Sequence, residues 1–289
     1  MKITEVLDRK VGSTITSDKV IGIDIGSRTG KAVLFVDGKL VTAITPSAVF
    51  TQQTADKLFG KLLKKSGLQH SDIAYIVGTG YGRIALNFGE ITHKIVTEIS
   101  CHAMGAHALN AKVRSIVDIG GQDSKAIRVD PKTGKVVEFI MNDKCAAGTG
   151  RFLEKVASLL DLTTEELGQE ALKATKPSDI SSQCVVFAES EVISLKAKGE
   201  KRADIAAGIH IATARRVKNL FNRIGLEADL VFSGGVSNNV GMKKALEEVL
   251  GYKFSEVKLD AIYAGALGAA VIAQKSIAAE RVEKEEASA

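Results

Sequence analysis

The sequence predicts an α/β protein built from two duplicated domains, each a mixed sheet flanked by helices. Three observations carry this reading. The stretch Ile23-Asp24-Ile25-Gly26-Ser27-Arg28-Thr29-Gly30-Lys31-Ala32-Val33 recurs as Val117-Asp118-Ile119-Gly120-Gly121-Gln122-Asp123-Ser124-Lys125-Ala126-Ile127, with Asp, Gly and Lys in register. Each copy reads as strand, Gly-bearing turn and strand, and each is followed by a hairpin signal, Asp37-Gly38 or Lys132-Thr133-Gly134. Helical and extended periods then alternate, as a sheet covered by helices requires. The repeat is too long for a solenoid and marks a duplication.

Taken in order, residues 1–19 are mostly polar and are expected to form an extension before the fold begins. A first domain is expected over 20–112. Its strands fall at 20–26, 31–36, 39–44 and 73–77, and its helices at 53–66 and 100–110. The helix at 53–66 is assigned from Leu58, Phe59, Leu62 and Leu63 at helical spacing. A second domain is expected over 113–259. After the repeated strand pair come a helix over 149–160, a capping-box start at Thr163-Thr164-Glu165-Glu166, and helices over 185–198 and 201–224. Gly225 is a natural C-cap for the last of these. A strand at 230–233 then enters Gly234-Gly235-Val236-Ser237-Asn238-Asn239 and a helix over 240–250. An Ala-rich helix within 260–275 is expected to complete the first domain, and 276–289 to be a charged tail whose run 280–286 is solvated, either as coil or as a frayed helix.

Bulk composition excludes several functions. The 289 residues are 45% hydrophobic and 25% charged, as in a globular protein with room for two domains. Aromatics make up 5% with no Trp, which argues against stacking platforms for single-stranded nucleic acid. The formal charge is +5, but Lys and Arg are interspersed with Asp and Glu, so no basic stripe for nucleic acid exists. Residues 1–19 lack the apolar core of a signal peptide, and the apolar run 264–273 is too short to span a bilayer. A cytoplasmic protein is expected. Cys101, Cys145 and Cys184 show no CxxC spacing, cannot make a disulfide framework, and are too few for a four-thiolate site within one chain.

Chemistry concentrates where strands end in glycine turns: Asp24-Ile25-Gly26, Asp118-Ile119-Gly120-Gly121 and Ser233-Gly234-Gly235. Such turns let backbone approach a ligand and make anion nests. Asp24 and Asp118 are strand-end carboxylates suited to Mg²⁺ through its waters, and Lys31 can meet a phosphate as a point charge. Two such turns in register, plus a third, form a nucleotide-binding set. A separate turn, Asn142-Asp143-Lys144-Cys145-Ala146-Ala147-Gly148-Thr149-Gly150, runs into an amphipathic helix. Gly148, Thr149 and Gly150 are expected to present free N–H groups at the helix start, where anions bind. Cys145 just ahead is either a polarised thiol or a buried structural cysteine. Cys101 is expected in the core. The five His residues show no metal-ligand spacing except His102 and His107, which are poorly placed for one helical face and are read as structural.

The three turns resemble the two phosphate motifs and the adenosine motif of the acetate kinase, sugar kinase, Hsp70 and actin ATPases, whose domains are ribonuclease-H-like. Within that superfamily, Ile119-Gly120-Gly121-Gln122-Asp123, the stretch 141–153 and Cys184-Val185-Val186-Phe187-Ala188-Glu189-Ser190-Glu191-Val192-Ile193-Ser194 resemble the activators of 2-hydroxyacyl-CoA dehydratases and the related ATPase subunits of benzoyl-CoA reductase. The resemblance covers about residues 20–275. It implies an ATP-hydrolysing electron carrier: a homodimer holding one [4Fe–4S] cluster between subunits, with Cys145 and Cys184 as each chain's ligands. Four thiolates from a twofold pair resolve the cysteine shortage.

The implied site for ATP or ADP comprises Gly26, Ser27, Lys31, Gly120, Gly121, Lys144, Gly148, Thr149, Gly150, Gly234, Gly235, Ser237 and Asn238. ATP is expected to bind between the duplicated domains and to alter their closure. Asp24 and Asp118 are implied Mg²⁺ holders, and Gln122 and Asp123 candidates to position the attacking water. Asp123 could equally cap the following strand. Glu189 and Glu191 are explained by the helix dipole alone. The implied partners are a ferredoxin or flavodoxin as electron donor and a 2-hydroxyacyl-CoA dehydratase as acceptor. The alternative acceptor is another low-potential iron–sulfur enzyme, such as benzoyl-CoA reductase or a double-cubane cluster protein. A sugar kinase of the same fold is the reading from a different class, and it leaves Cys145 and Cys184 unexplained.

Overall fold

The computed structural model describes residues 1–142, 144–180 and 185–288. The chain forms two compact units: Met1–Val113 with Val129–Val136 and Glu256–Ala289, and Arg114–Arg128 with Val137–Ser255.

The first unit begins with two short helices, α1 (Ile3–Val6) and α2 (Arg9–Gly12). Strands β1 (Val20–Ile25), β2 (Thr29–Val36) and β3 (Lys39–Pro46) follow, then α3 (Thr51–Ser66), β4 (Tyr75–Gly80), β5 (His93–Ile95) and α4 (Glu98–Leu109). The sheet order is β3-β2-β1-β4-β5. β2 runs antiparallel to β1 and β3, whereas β4 is parallel to β1 and β5 to β4. β1 and β4 are buried along their whole length, which is why they read as short apolar runs and not as alternating ones. Asp37 and Gly38 both take positive φ, 47° and 70°, as the tight hairpin between β2 and β3 demands.

The second unit repeats the order with β6 (Ser115–Ile119), β7 (Ser124–Val129) and β8 (Val136–Asn142). Four helices follow: α5 (Gly150–Leu159), α6 (Thr164–Ala171), α7 (Val185–Ala197) and α8 (Arg202–Ile224). Strand β9 (Leu230–Ser233) and helix α9 (Val240–Leu250) close it. The sheet order is β8-β7-β6-β9, with β9 parallel to β6. The capping box at the start of α6 forms: the Thr163 hydroxyl accepts from the Glu166 N–H, and the Glu166 carboxylate from the Thr163 N–H. The last helix, α10 (Ala264–Ser288), belongs to the first unit.

Two regions differ from the sequence reading. Residues 1–19 are not an extension: Ile3, Val6, Leu7 and Val11 are buried in the core of the first unit. Their spacing is helical, but the two helices are too short to show a period among polar neighbours. Asp8 N–H donates to the Ala108 carbonyl at 2.8 Å, and Thr16 Oγ1 donates to Gln274 Oε1 of α10 at 2.6 Å.

The second difference is the length of the last helix, for α10 runs on through the charged tail, whose residues 281–283 are exposed as expected, and Arg281 pairs with Asp18 at 2.6 Å. Residues Ala261–Glu283 are long and apolar enough to cross a membrane by composition. In the fold, however, Ala266, Leu267, Ala270 and Val271 are buried in the core of the first unit, where α10 packs against β1, β4 and α4. The contact with α4 is backbone-close: a Cβ on Gly105 would lie 1.9 Å from the Ala264 carbonyl oxygen.

Candidate nucleotide turns and cysteine loop

The duplication is carried down to individual side chains. Asp24 on β1 stands in register opposite Lys31 on β2 and Thr79 on β4. Asp118 on β6 stands opposite Lys125 on β7 and Ser233 on β9. Thr79 and Ser233 are each followed by a glycine at positive φ, Gly80 at 97° and Gly234 at 89°. A Cβ on either would come within 2.4 Å of a carbonyl oxygen, that of Ile25 or Ile119 respectively, so no other residue fits. Each unit thus assembles a buried carboxylate, a lysine, a hydroxyl and a glycine at one end of its sheet. The sequence repeat aligns Lys125 with Lys31 but does not single it out as a site residue, and Thr79 and Gly80 escape it, because their relation to the aspartates is set by strand pairing.

The two sets are wired differently. Asp118 is closed: Oδ1 accepts the Ser233 hydroxyl at 2.9 Å, and Oδ2 the Lys125 ammonium at 3.2 Å. Lys125, 3% exposed, also donates to Asp123 Oδ2 at 2.6 Å. Asp123 additionally closes the turn through its carbonyl, which accepts the Gly120 N–H at 2.9 Å, while Gln122 is exposed. In the first unit the Lys31 ammonium donates to the Thr29 carbonyl at 3.3 Å, and the Thr79 hydroxyl to the Val96 carbonyl at 2.8 Å. Asp24 instead has His102 Nε2 at 3.8 Å from Oδ2. His102, read from sequence as structural, therefore lies beside a candidate site residue. Both oxygens of Asp24 face glycine positions, where a Cβ on Gly80 would come 2.6 Å from Oδ1 and one on Gly265 2.5 Å from Oδ2. A buried carboxylate with glycine beside each oxygen fits a hydrated divalent cation.

The cysteine loop is built on Asn142. Its side-chain amide donates to the carbonyls of Cys145 at 2.9 Å and Ala147 at 3.1 Å, and the Thr149 hydroxyl donates to the Ala146 carbonyl at 2.6 Å. Cys145 is half-buried and Lys144 exposed. The expectation of free N–H groups is corrected for Thr149 and Gly150. Thr149 N–H donates to Ala146, Gly150 N–H to the Gly120 carbonyl at 2.8 Å and Arg151 N–H to the Gly121 carbonyl at 2.9 Å. The helix start is spent on docking the second phosphate turn. Gly148 takes φ 91°, with the Arg216 side chain packed over it.

Cys184 lies outside the described residues, as does Asp143. Helix α7, which begins at the next residue, packs against α5, and Lys155 pairs with Glu189 at 3.1 Å. Glu189 thus has an ion-pair partner besides the helix dipole. Val186 and Phe187 are exposed at the start of α7. Cys101 is fully buried, and that burial pushes its thiol up to about 12, so it is an inert core residue. Among the described residues no group of three or more His, Cys, Asp or Glu gathers as a metal site.

At the third turn, the Ser237 hydroxyl donates to the Gly234 carbonyl at 2.8 Å and Val236 N–H to the Ile119 carbonyl at 3.2 Å. Gly235 and Asn238 are exposed. Gly26 of the first turn is pinned by the Ser47 hydroxyl at 2.7 Å, and Ser27 beside it is half-buried.

Two duplicated β-sheet units, each ending a buried strand in an Asp–Gly turn, define an ATPase of the actin and Hsp70 type. The chain belongs to the BadF/BadG/BcrA/BcrD ATPase family, whose model matches residues 21–273. It is 45% identical over 259 residues to the (R)-2-hydroxyglutaryl-CoA dehydratase activating ATPase of Acidaminococcus fermentans, covering 89% of this chain and 98% of that one. It is 46% identical over 263 residues to the activator of lactoyl-CoA dehydratase of Anaerotignum propionicum, covering 89% and 97%. The solved activator of 2-hydroxyisocaproyl-CoA dehydratase from Clostridium difficile, with bound ADPNP, superposes with a TM-score of 0.83 at 37% identity, covering 92% of this chain and 97% of that one.

Proposed function

We propose that this ATPase is an activator that hydrolyses ATP to deliver one low-potential electron to a partner 2-hydroxyacyl-CoA dehydratase. The observation that carries the reading is the pair of backbone hydrogen bonds joining the Gly120-Gly121 turn to Gly150 and Arg151, five and six residues beyond Cys145. A phosphate sensed by that turn acts on the cysteine loop through rigid backbone. The activating relatives support the partner class.

In this reading residues 20–112 with 260–275, and 113–259, are the two ATPase domains. Gly26, Ser27 and Lys31 meet nucleotide phosphate from the first, with Gly120, Gly121, Lys144 and Gly148 from the second, while Thr149 and Gly150, whose N–H groups are spent on the Ala146 and Gly120 carbonyls, brace the second turn. Gly234, Gly235, Ser237 and Asn238 form the adenosine turn. Asp24 holds Mg²⁺ through its waters; Asp118, expected from sequence to share that role, has both oxygens taken by Ser233 and Lys125 and anchors the second turn instead. Exposed Gln122 orients the attacking water, and Lys125 fixes Asp123 beside it.

Cys145 and Cys184, with their mates in a homodimer, supply four thiolates for one [4Fe–4S] cluster, which when bound supplies a one-electron carrier reduced by ferredoxin or flavodoxin. The half-buried Cys145 loop, the packing of α5 on α7 and the exposed Val186 and Phe187 support a ligand set completed by a second copy. The cytoplasm, where thiols stay reduced, is the compartment this chemistry requires.

The test is anaerobic purification with iron and sulfide analysis and EPR, for wild type and for Cys145→Ala and Cys184→Ala. About four irons per dimer, lost in either variant, is the expected result. An iron-free wild type whose ATP turnover is stimulated by a sugar would move the assignment to a kinase of the same fold.

A further inference from the structure

We infer that His102 is the positioning residue for the Asp24 carboxylate, holding it to receive a hydrated divalent cation; this rests on the assignment of Asp24 to Mg²⁺. The duplication supplies an internal control. In the second unit Ser233 and Lys125 occupy both oxygens of Asp118. At the same register positions of the first unit, Thr79 and Lys31 send their donors to the carbonyls of Val96 and Thr29. Asp24 is 5% exposed, and the group beside its Oδ2 is not an ammonium but the imidazole of His102, itself 7% exposed and 3.8 Å away.

At 3.8 Å, His102 Nε2 is beyond direct hydrogen bonding to Asp24 Oδ2 and within reach of a small ring rotation or a bridging water. The room for this comes from Gly265, where a Cβ would meet both Asp24 Oδ2 at 2.5 Å and His102 Nε2 at 2.9 Å. An imidazole N–H turned to one carboxylate oxygen fixes the rotamer and leaves the other oxygen to a metal-bound water, as second partners of metal-binding carboxylates do. A lysine ammonium on the carboxylate would neutralise it, as Lys125 does at Asp118. The duplicated aspartates have thus diverged, one locked by a cation and one kept for a cation.

Mn²⁺ serves as an EPR-visible stand-in, titrated against the full-length protein in excess ADP, so that binding is read without turnover. His102→Leu is expected to weaken Mn²⁺ about tenfold and to lower kcat with KM for ATP unchanged at saturating Mg²⁺. His102→Gln, whose amide nitrogen reaches the position of Nε2, should restore most of the affinity, whereas His102→Asn, which is shorter, should not. His107→Gln on the same helix, facing Pro131, should bind Mn²⁺ as wild type does. Wild-type Mn²⁺ affinity in His102→Leu, with affinity lost in Asp24→Asn, would overturn the role of His102 and leave Asp24 standing. Unchanged affinity in Asp24→Asn would overturn both. Should His102→Leu not fold, equal affinity of the Gln and Asn variants overturns the inference.

Discussion

Gly150 donates its backbone N–H to the carbonyl of Gly120 at 2.8 Å, and Arg151 does the same to Gly121 at 2.9 Å. Helix N-termini ordinarily offer these groups to an anion or a cap. Here they fasten the first turn of α5 to the glycine turn after β6, so neither can move alone.

Gly150→Ala tests that fastening. The added Cβ would stand 3.1 Å from the Gly120 oxygen, 3.2 Å from Val236 Cγ2 and 3.3 Å from Gly121 Cα, so the two turns must part by a few tenths of an ångström. Overpacking of this kind costs about 1 kcal/mol. Steady-state ATPase assays should show KM for ATP raised roughly fivefold, with the melting temperature lowered by only a few degrees.

Lys125→Met isolates the closed carboxylate. Asp118 is 2% exposed and would keep the Ser233 hydroxyl but lose the ammonium, as would Asp123. Removing one member of a buried ion pair costs about 3–5 kcal/mol. Urea unfolding should show that loss, and Asp118→Asn in the same background should recover much of it by removing the stranded charge.

The first residues are structural. Deleting 1–13 strips Ile3, Val6, Leu7 and Val11 from the core of the first unit, each a side chain whose burial contributes about 1.5–3 kcal/mol. Thermal unfolding of the truncated chain should begin well below that of the full chain. An unchanged transition would mean that the segment only rests on the surface.

His107 gives a pH signature. Burial holds its imidazole below the usual range; Nε2 meets the Pro131 carbonyl at 3.1 Å, while Nδ1 is buried with no hydrogen-bond partner. A depressed folded-state value means full stability above the unfolded value of about 6.5 and loss as pH falls toward the folded value. The urea midpoint should therefore drop as pH falls below about 6.5 in wild type, and less in His107→Gln.

Much of this molecule is legible as a string. The paired Asp-x-Gly strand ends and the Asp37-Gly38 hairpin announce two related sheets, because turn chemistry and strand period are local properties. The short N-terminal helices were not legible, since Ile3, Val6, Leu7 and Val11 among charges carry no period long enough to read. The length of α10 was misread for the reverse reason: Arg281 and its charged neighbours look like solvent, although the helix simply runs on past its buried part.

The sequence by itself determined the duplication, the two Asp–Gly turns and the placing of Cys145 just ahead of a helix. The duplication follows from laying two like stretches over one another, and the turns and the cysteine from residues within a few positions of one another. Only the tertiary structure decided that the helix start at Gly150 is spent on Gly120, that Asp118 is locked by Lys125 and Ser233, and that His102 stands beside Asp24. Those relations join residues on different strands and helices. Hydrogen-bond registers and the close approach allowed by Gly80, Gly234 and Gly265 set them, and no local pattern encodes distances across a fold.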